Sequence, residues 1–203
     1  MPFTQHFSLA NLRVGSICID ELPIKTIDRT VLRERIISAS QDSVFLPDGT
    51  SFRTNLDPWA VASDDECQTT LQDVGIAPVV ERNGGLDAPF TGSELSAGQK
   101  QLFSLARAVL RRRVKRKETQ VDGGLLLLDE ITSNVDIETE RRVQTILREE
   151  FSAYTVIMVT HRQQLAMTCD RIIVLDKGII VEDGKPTVLL QKEDGWFRAL
   201  WHS

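Results

Sequence analysis

Two adjacent carboxylates, Asp129 and Glu130, follow four consecutive leucines, Leu125 to Leu128. An apolar run without polar alternation predicts a strand buried on both faces, the place of a central strand in a parallel sheet. Ligands of open α/β sheets gather beyond the carboxyl ends of the strands, so both acids are expected to emerge where a ligand sits. Successive residues of an extended segment point opposite ways, which would let Asp129 hold a metal while Glu130 addresses a water. The same residues also suit a plain strand end followed by a solvated turn, and only the rest of the chain can choose between the two.

Other groups could join them. Ser96-Ala97-Gly98-Gln99 has the spacing of a capping box, with Ser96 at the N-cap and Gln99 three residues on. Leu102, Leu105, Ala106, Val109 and Leu110 then recur at helical spacing and predict an amphipathic helix to about Arg112. The free N–H groups and positive dipole end of such a helix make a competent phosphate site, and Gly98 lets an anion approach closely. Asp136 is expected to cap the next helix, with Glu138 and Glu140 in its first turn. His161 ends a second apolar run, Thr155 to Thr160, read as another buried strand, and Gln41 follows a strand candidate at Ile36 to Ser40. Taken singly, Ser96 is also an ordinary cap, His161 a strand-end core histidine and Gln41 a surface loop residue.

The elements that must position these groups follow from pattern and punctuation. Ser16 to Asp20 reads as a short strand and Ile27 to Arg35 as a helix. Ser43 to Pro58, broken by Pro47, Gly49 and Pro58, reads as a loop with at most one turn of helix. From Trp59 the chain turns helical, which predicts an inserted helical lobe at about 59–112. The basic run Arg111 to Lys117 could serve as a nucleic-acid or lipid-headgroup patch. It lacks aromatics for base stacking and lies where cations favour a helix C-terminus, so it is read as a solvated helix end and loop. Asp176-Lys177-Gly178 signals a hairpin, Pro186 a short helix, and Trp196 to Trp201 a closing helix whose aromatics pack.

Composition narrows the class. At 203 residues the chain can bury a proper core, and its net charge of −5 argues against a dedicated nucleic-acid binder. Cys18, Cys67 and Cys169 are scattered without a CxxC pair, the usage of a reduced compartment with neither disulfide nor zinc framework. No apolar run has the length of a membrane-crossing helix, which predicts a soluble polypeptide.

Gln41 after a strand, LSAGQ at Leu95 to Gln99, LLLLDE ending at Glu130, SNVD at Ser133 to Asp136 and His161 after the next strand occur in this order. The order resembles the nucleotide-binding domain of an ATP-binding cassette (ABC) transporter, with its Q-loop, signature motif, Walker B, D-loop and switch histidine. The phrases ISASQDSVFLPDGTSFRTNLDP and GQKQLFSLARAVLRR are similar to the second such domain of the C subfamily, the multidrug-resistance-associated exporters. The resemblance implies an α/β, P-loop NTPase-like core with a mostly parallel sheet and the inserted lobe. It implies ATP and Mg²⁺ as cofactors. Asp129 would bind the metal, Glu130 would orient the attacking water, His161 would contact the γ-phosphate, and Gln41 would sense metal and water. Ser96, Gly98 and Gln99 would grip nucleotide held by a second nucleotide-binding domain, with Asp136 across the same junction. The implied partners are that second domain and transmembrane domains, at the cytoplasmic face of a membrane, and the implied work is ATP-driven solute export.

One departure from the pattern is plain: no GxxxxGK[ST] occurs, and Gly184-Lys185 is followed by Pro186. That loop supplies the backbone cradle, the phosphate-binding lysine and a metal-binding hydroxyl. The chain is therefore expected to be the rear part of a domain truncated on its N-terminal side, inactive alone, with an unpaired apolar strand edge and poor solubility. Two rival readings are a soluble ABC ATPase acting on DNA or ribosomes, and a catalytically silent regulatory subunit that lends its LSAGQ helix to a partner.

Overall fold

Residues 15–40, 44–131 and 135–202 are described by a computed structural model, and the chain divides into two units, residues 1–36 and 37–203. In the first, β1 (Cys18–Ile19) pairs antiparallel with β2 (Leu22–Pro23). Asp20 and Glu21 between them both take positive φ, 49° and 66°, as a two-residue hairpin turn requires. The strand expected at Ser16 to Asp20 is thus half of a tight hairpin. Helix α1 (Arg29–Arg35) begins after Asp28, whose carboxylate accepts the N–H groups of Thr30 and Val31.

The second unit holds a sheet in the order β3 (Ile36–Ala39), β4 (Gly124–Asp129), β5 (Tyr154–Val159). Strands β4 and β5 run parallel, in register from Gly124 opposite Tyr154 to Asp129 opposite Val159. Between β3 and β4 the chain is helical: α2 (Phe52–Leu56), α3 (Asp64–Val74), α4 (Ala77–Arg82) and α5 (Ala97–Thr119). Ser63 starts α3 with a full capping box to Glu66. Gly75 ends it at φ 84°, a left-handed cap that favours glycine, with the Arg142 guanidinium lying against its open Cα. Helix α6 (Ile137–Glu150) connects β4 to β5.

Leu126 and Leu128 are buried in one core with Phe103, Val109, Val143 and Ile146. Phe45, Phe52, Phe90 and Phe103 form its aromatic centre, with ring centroids 4.7–6.2 Å apart. Two strand expectations need correction. Leu125 and Leu127 are only half-buried, so β4 is fully covered on one face alone. Strand β5 is not buried: among the described residues it is the edge of its sheet, and Val156, Ile157 and Val159 are exposed along it. An apolar edge of this kind is an open pairing surface.

After β5, α7 (Gln163–Ala166) leads to the hairpin of β6 (Ile172–Asp176) and β7 (Ile179–Gly184), then to α8 (Pro186–Leu189) and α9 (Trp196–Trp201). Lys177 and Gly178 both have positive φ, the expected two-residue turn. Val174, Leu189 and Phe197 form a separate small core, with Trp201 packed against it. Trp196 and Leu200 stay half exposed, so only part of the closing aromatic run packs.

The basic run is a solvated helix end only at Arg116 and Lys117, whose side chains stay exposed, whereas Arg112 and Arg113 turn inward. Helix α5 continues to Thr119, because acids on neighbouring segments neutralise its arginines. Buried Arg112 donates to Asp122 at 2.6 Å and to Glu150 at 2.8 Å, and Arg113 pairs with Asp73 at 2.7 Å. Burial alone would raise the Glu150 carboxyl, but the hydrogen bonds and charges of Arg113 and Arg112 together hold it below the ordinary value. Lys117 and the Ser63 N–H likewise lower Glu66 to about 2. Both folded values are depressed, so the unfolded chain binds more protons in acid. The stability these pairs contribute is present above the unfolded carboxyl pKa of about 4.3 and is lost as pH falls below it. Urea midpoints are expected to drop between about pH 5 and pH 2, with a shallower drop in Glu150→Gln. Equal slopes in the two proteins would remove Glu150 from this account.

Candidate functional site

The parallel pairing of β4 and β5 brings their carboxyl ends to one edge. It continues one residue past Asp129, where the Glu130 N–H donates to the Val159 carbonyl at 3.0 Å. Glu130 itself has φ 48°, a left-handed conformation that a non-glycine residue adopts only when its surroundings enforce it. The Val159 bond is one restraint. A second comes from α5, where buried Gln101 donates from Nε2 to the Glu130 carbonyl at 3.4 Å.

This turn aims the carboxylate across the strand ends. Glu130 Oε1 lies 3.2 Å from Nδ1 of His161, and the His161 side chain is 63% exposed. A core histidine would be covered, so that plainer reading does not hold. Asp129, exposed at the last position of β4, completes the group. The structure thus gathers Asp129, Glu130 and His161 at one sheet end. Gln41 lies outside the described residues, two positions beyond the end of β3, the strand beside β4 in the sheet.

The start of α5 is built as its sequence predicts. Ser96 Oγ accepts the Gln99 N–H at 3.3 Å, and Gln99 Oε1 accepts the Ser96 N–H at 2.9 Å. Gly98 lies in the first turn between them. Ser96 and Gln99 bond each other rather than the carboxylate pair, so the turn is a second locus presented to solvent. Asp136 caps α6, accepting the Thr139 N–H at 2.8 Å and the Thr139 hydroxyl at 3.1 Å. The backbone hydrogen bond from Thr139 lowers its pKa below the ordinary carboxylate value, so it is ionised at neutral pH.

Three supporting residues were not read from the sequence. Gln101 is one, two positions past the capping box. Arg162, directly after His161, holds Glu140. Arg107 lies over the Phe45 and Phe103 rings, donates to the Val44 carbonyl at 2.6 Å and also to the Asn55 carbonyl. It thereby fixes the segment after Gln41 to α5. Burial lowers its pKa to about 10, which leaves it charged at neutral pH. The helical period marks Arg107 as polar but cannot show that aromatic faces and carbonyls surround it.

As a metal donor set the strand end is sparse. No group of three or more His, Cys, Asp or Glu side chains arranged to hold a metal occurs among the described residues. One hard carboxylate oxygen donor, Asp129, suits an ion such as Mg²⁺ that takes one or two protein carboxylates and completes its shell with water and phosphate. It does not suit a closed structural zinc site.

Residues 7–133, more than half of the 203, match the family described as ABC transporter. This chain belongs to that family. The ABC chain is 50% identical over 187 residues to ABC transporter FGM5 of Gibberella zeae, an overlap of 92% of this chain and 13% of the relative. It is 47% identical over 188 residues to ABC-type transporter braE of Annulohypoxylon truncatum, over 90% of this chain and 13% of that protein. The ABC chain therefore spans only about an eighth of the length of these curated relatives. Its fold is similar to that of a bacterial Atm1-family ABC exporter solved with ATP bound, at a TM-score of 0.81 and 29% identity over 94% of this chain and 32% of the other. The expected α/β ABC ATPase fold holds, as does the reading of an ABC transporter domain akin to exporters. Relatives named as transporters give the DNA- or ribosome-acting alternative no support. Among the described residues no helix is long and apolar enough to cross a membrane.

Proposed function

We propose that this ABC domain is the water-activating and partner-clasping side of an ATPase that couples ATP binding and hydrolysis to solute export. The observation that carries the proposal is the Glu130–His161 contact of 3.2 Å beside Asp129 at the joint end of two parallel strands. There Asp129 and Gln41 would hold Mg²⁺, and ATP would supply the phosphoryl group to be cleaved. Glu130 orients and deprotonates water, and His161 addresses the terminal phosphate. Ser96, Gly98 and Gln99 present the N–H groups of α5 to nucleotide on a second ABC domain, with Asp136 at that junction.

The reading extends to finer features. The phrases around Gln41 and LSAGQ support a C-subfamily, multidrug-resistance-associated assignment, and the helices between about 59 and 112 serve as the helical subdomain. With no GxxxxGK[ST] in the sequence, the phosphate cradle comes from a segment other than these residues. The exposed edge of β5 supports this, because a phosphate-loop strand would have an apolar edge to pair with. The partners are then a second nucleotide-binding domain and transmembrane domains, which hold this domain against a membrane's cytoplasmic face.

The test is a mixing experiment with an ABC domain that carries an intact phosphate loop. Phosphate release is expected to rise on adding this chain and to be lost with Ser96→Arg, which puts a bulky cation at the start of α5. Ser96→Thr keeps the cap and should keep the effect. Absence of any stimulation by the folded wild-type chain would refute the proposal.

A further inference from the structure

We propose that Arg162 is a positioning residue that locks the His161 strand end to the segment entering Asp136. Its guanidinium is a two-pronged clamp: Nη1 donates to Glu140 Oε2 at 2.5 Å, and Nη2 donates to the Val135 carbonyl at 3.0 Å. The backbone of Arg162 is fixed on both sides. Its N–H donates to the Thr160 hydroxyl at 3.0 Å, and its carbonyl accepts the Ala166 N–H at 3.1 Å from the first turn of α7. Movement of the His161 main chain is therefore carried into the clamp.

The other end is equally constrained. Glu140 is 5% exposed in the first turn of α6, the helix capped by Asp136, and one of its carboxylate oxygens has no partner among the described residues. A buried carboxylate needs a cation, and removing that cation alone leaves an uncompensated charge. Exposed acids in a first helical turn gain from the dipole without burial, so the dipole does not explain why Glu140 is inside. Arg162 does: the planar fork of arginine reaches a carboxylate and a carbonyl at once, which a lysine ammonium on one flexible stem does not reproduce. The clamp thus ties the residue before Asp136 to the residue after His161.

The inference deepens the proposed function and rests on it for meaning: a nucleotide felt at His161 would be transmitted to Asp136 at the junction with a second domain. The link itself is tested without nucleotide, so its failure is distinct from failure of the ATPase reading. In amide-resolved NMR spectra of the full chain, His161→Ala is expected to shift the resonances of Val135 and Asp136. In an Arg162→Lys background that shift is expected to be lost. The competing route runs from the Glu130 carboxylate along the chain to Val135, and persistence of the shift in Arg162→Lys would show that route and overturn the proposal. Thermal melts report whether the variant folds. If it does not, the paired replacement Arg162→Met with Glu140→Leu removes the buried carboxylate together with its half-buried partner, a change of the kind that other cores tolerate, and is read by the same criterion. A purely structural Arg162 would lower the melting temperature and leave the transfer intact.

Discussion

Phe103→Ala is expected to remove about 3–5 kcal/mol of stability, a large share of the roughly 5–15 kcal/mol that holds a typical domain together. Phe103 is fully buried on α5, its ring stacked at 6.2 Å on Phe90 and 5.8 Å from Phe45. It also forms one wall around the Arg107 guanidinium, 5.5 Å away. Alanine would leave a cavity and loosen the guanidinium that holds the Val44 and Asn55 carbonyls. The urea midpoint should fall with little change in slope. A loss below about 1 kcal/mol would mean that the cluster collapses to fill the space and that the aromatic centre is not what holds the segment to α5.

In an assembly whose phosphate-loop segment pairs with the β5 edge beside Glu130, Glu130→Gln is expected to lower phosphate release by about 10²–10⁴-fold, the usual worth of a positioned general base. Glutamine keeps the size of the side chain, the strained backbone and a hydrogen-bonding atom toward His161, but it cannot take a proton from water. Nucleotide binding, followed with a fluorescent analogue, should persist. Unchanged release would leave Glu130 as a strand-end residue that merely contacts His161. The contrast with Ser96→Arg is informative, since that change blocks the approach of the partner's nucleotide and leaves the carboxylate in place.

The sequence announced those parts of the site whose causes are local. Ser96 with Gln99, and Asp136 ahead of Thr139, are satisfied by hydrogen bonds within one helical turn, so spacing alone revealed them. The leucine run located β4 because a sheet must cover it, and the acids after it had to sit at the strand end. Long-range partners were hidden. Gln101 and Glu130 are 29 residues apart, and Arg107 and Asn55 are 52 apart. Nothing near Arg112 in the chain announces Glu150, so the basic run looked like a solvated tail. Strand β5 was misjudged for a related reason: hydrophobic residues report what a strand can bury, whereas exposure depends on what lies beside it.

Strand β3 ends at Ala39 and its neighbour β4 begins at Gly124, with α2 to α5 in between. During synthesis the first strand therefore waits, unpaired, until the ribosome has released every one of those helices. Helices close over short sequence distances and sheet contacts over long ones, so the Phe45–Phe52–Phe90–Phe103 centre can assemble first and bring the two strands within reach of each other. A lesion in that aromatic centre would then surface as a maturation defect, with chains lost to quality control before a nucleotide is ever met.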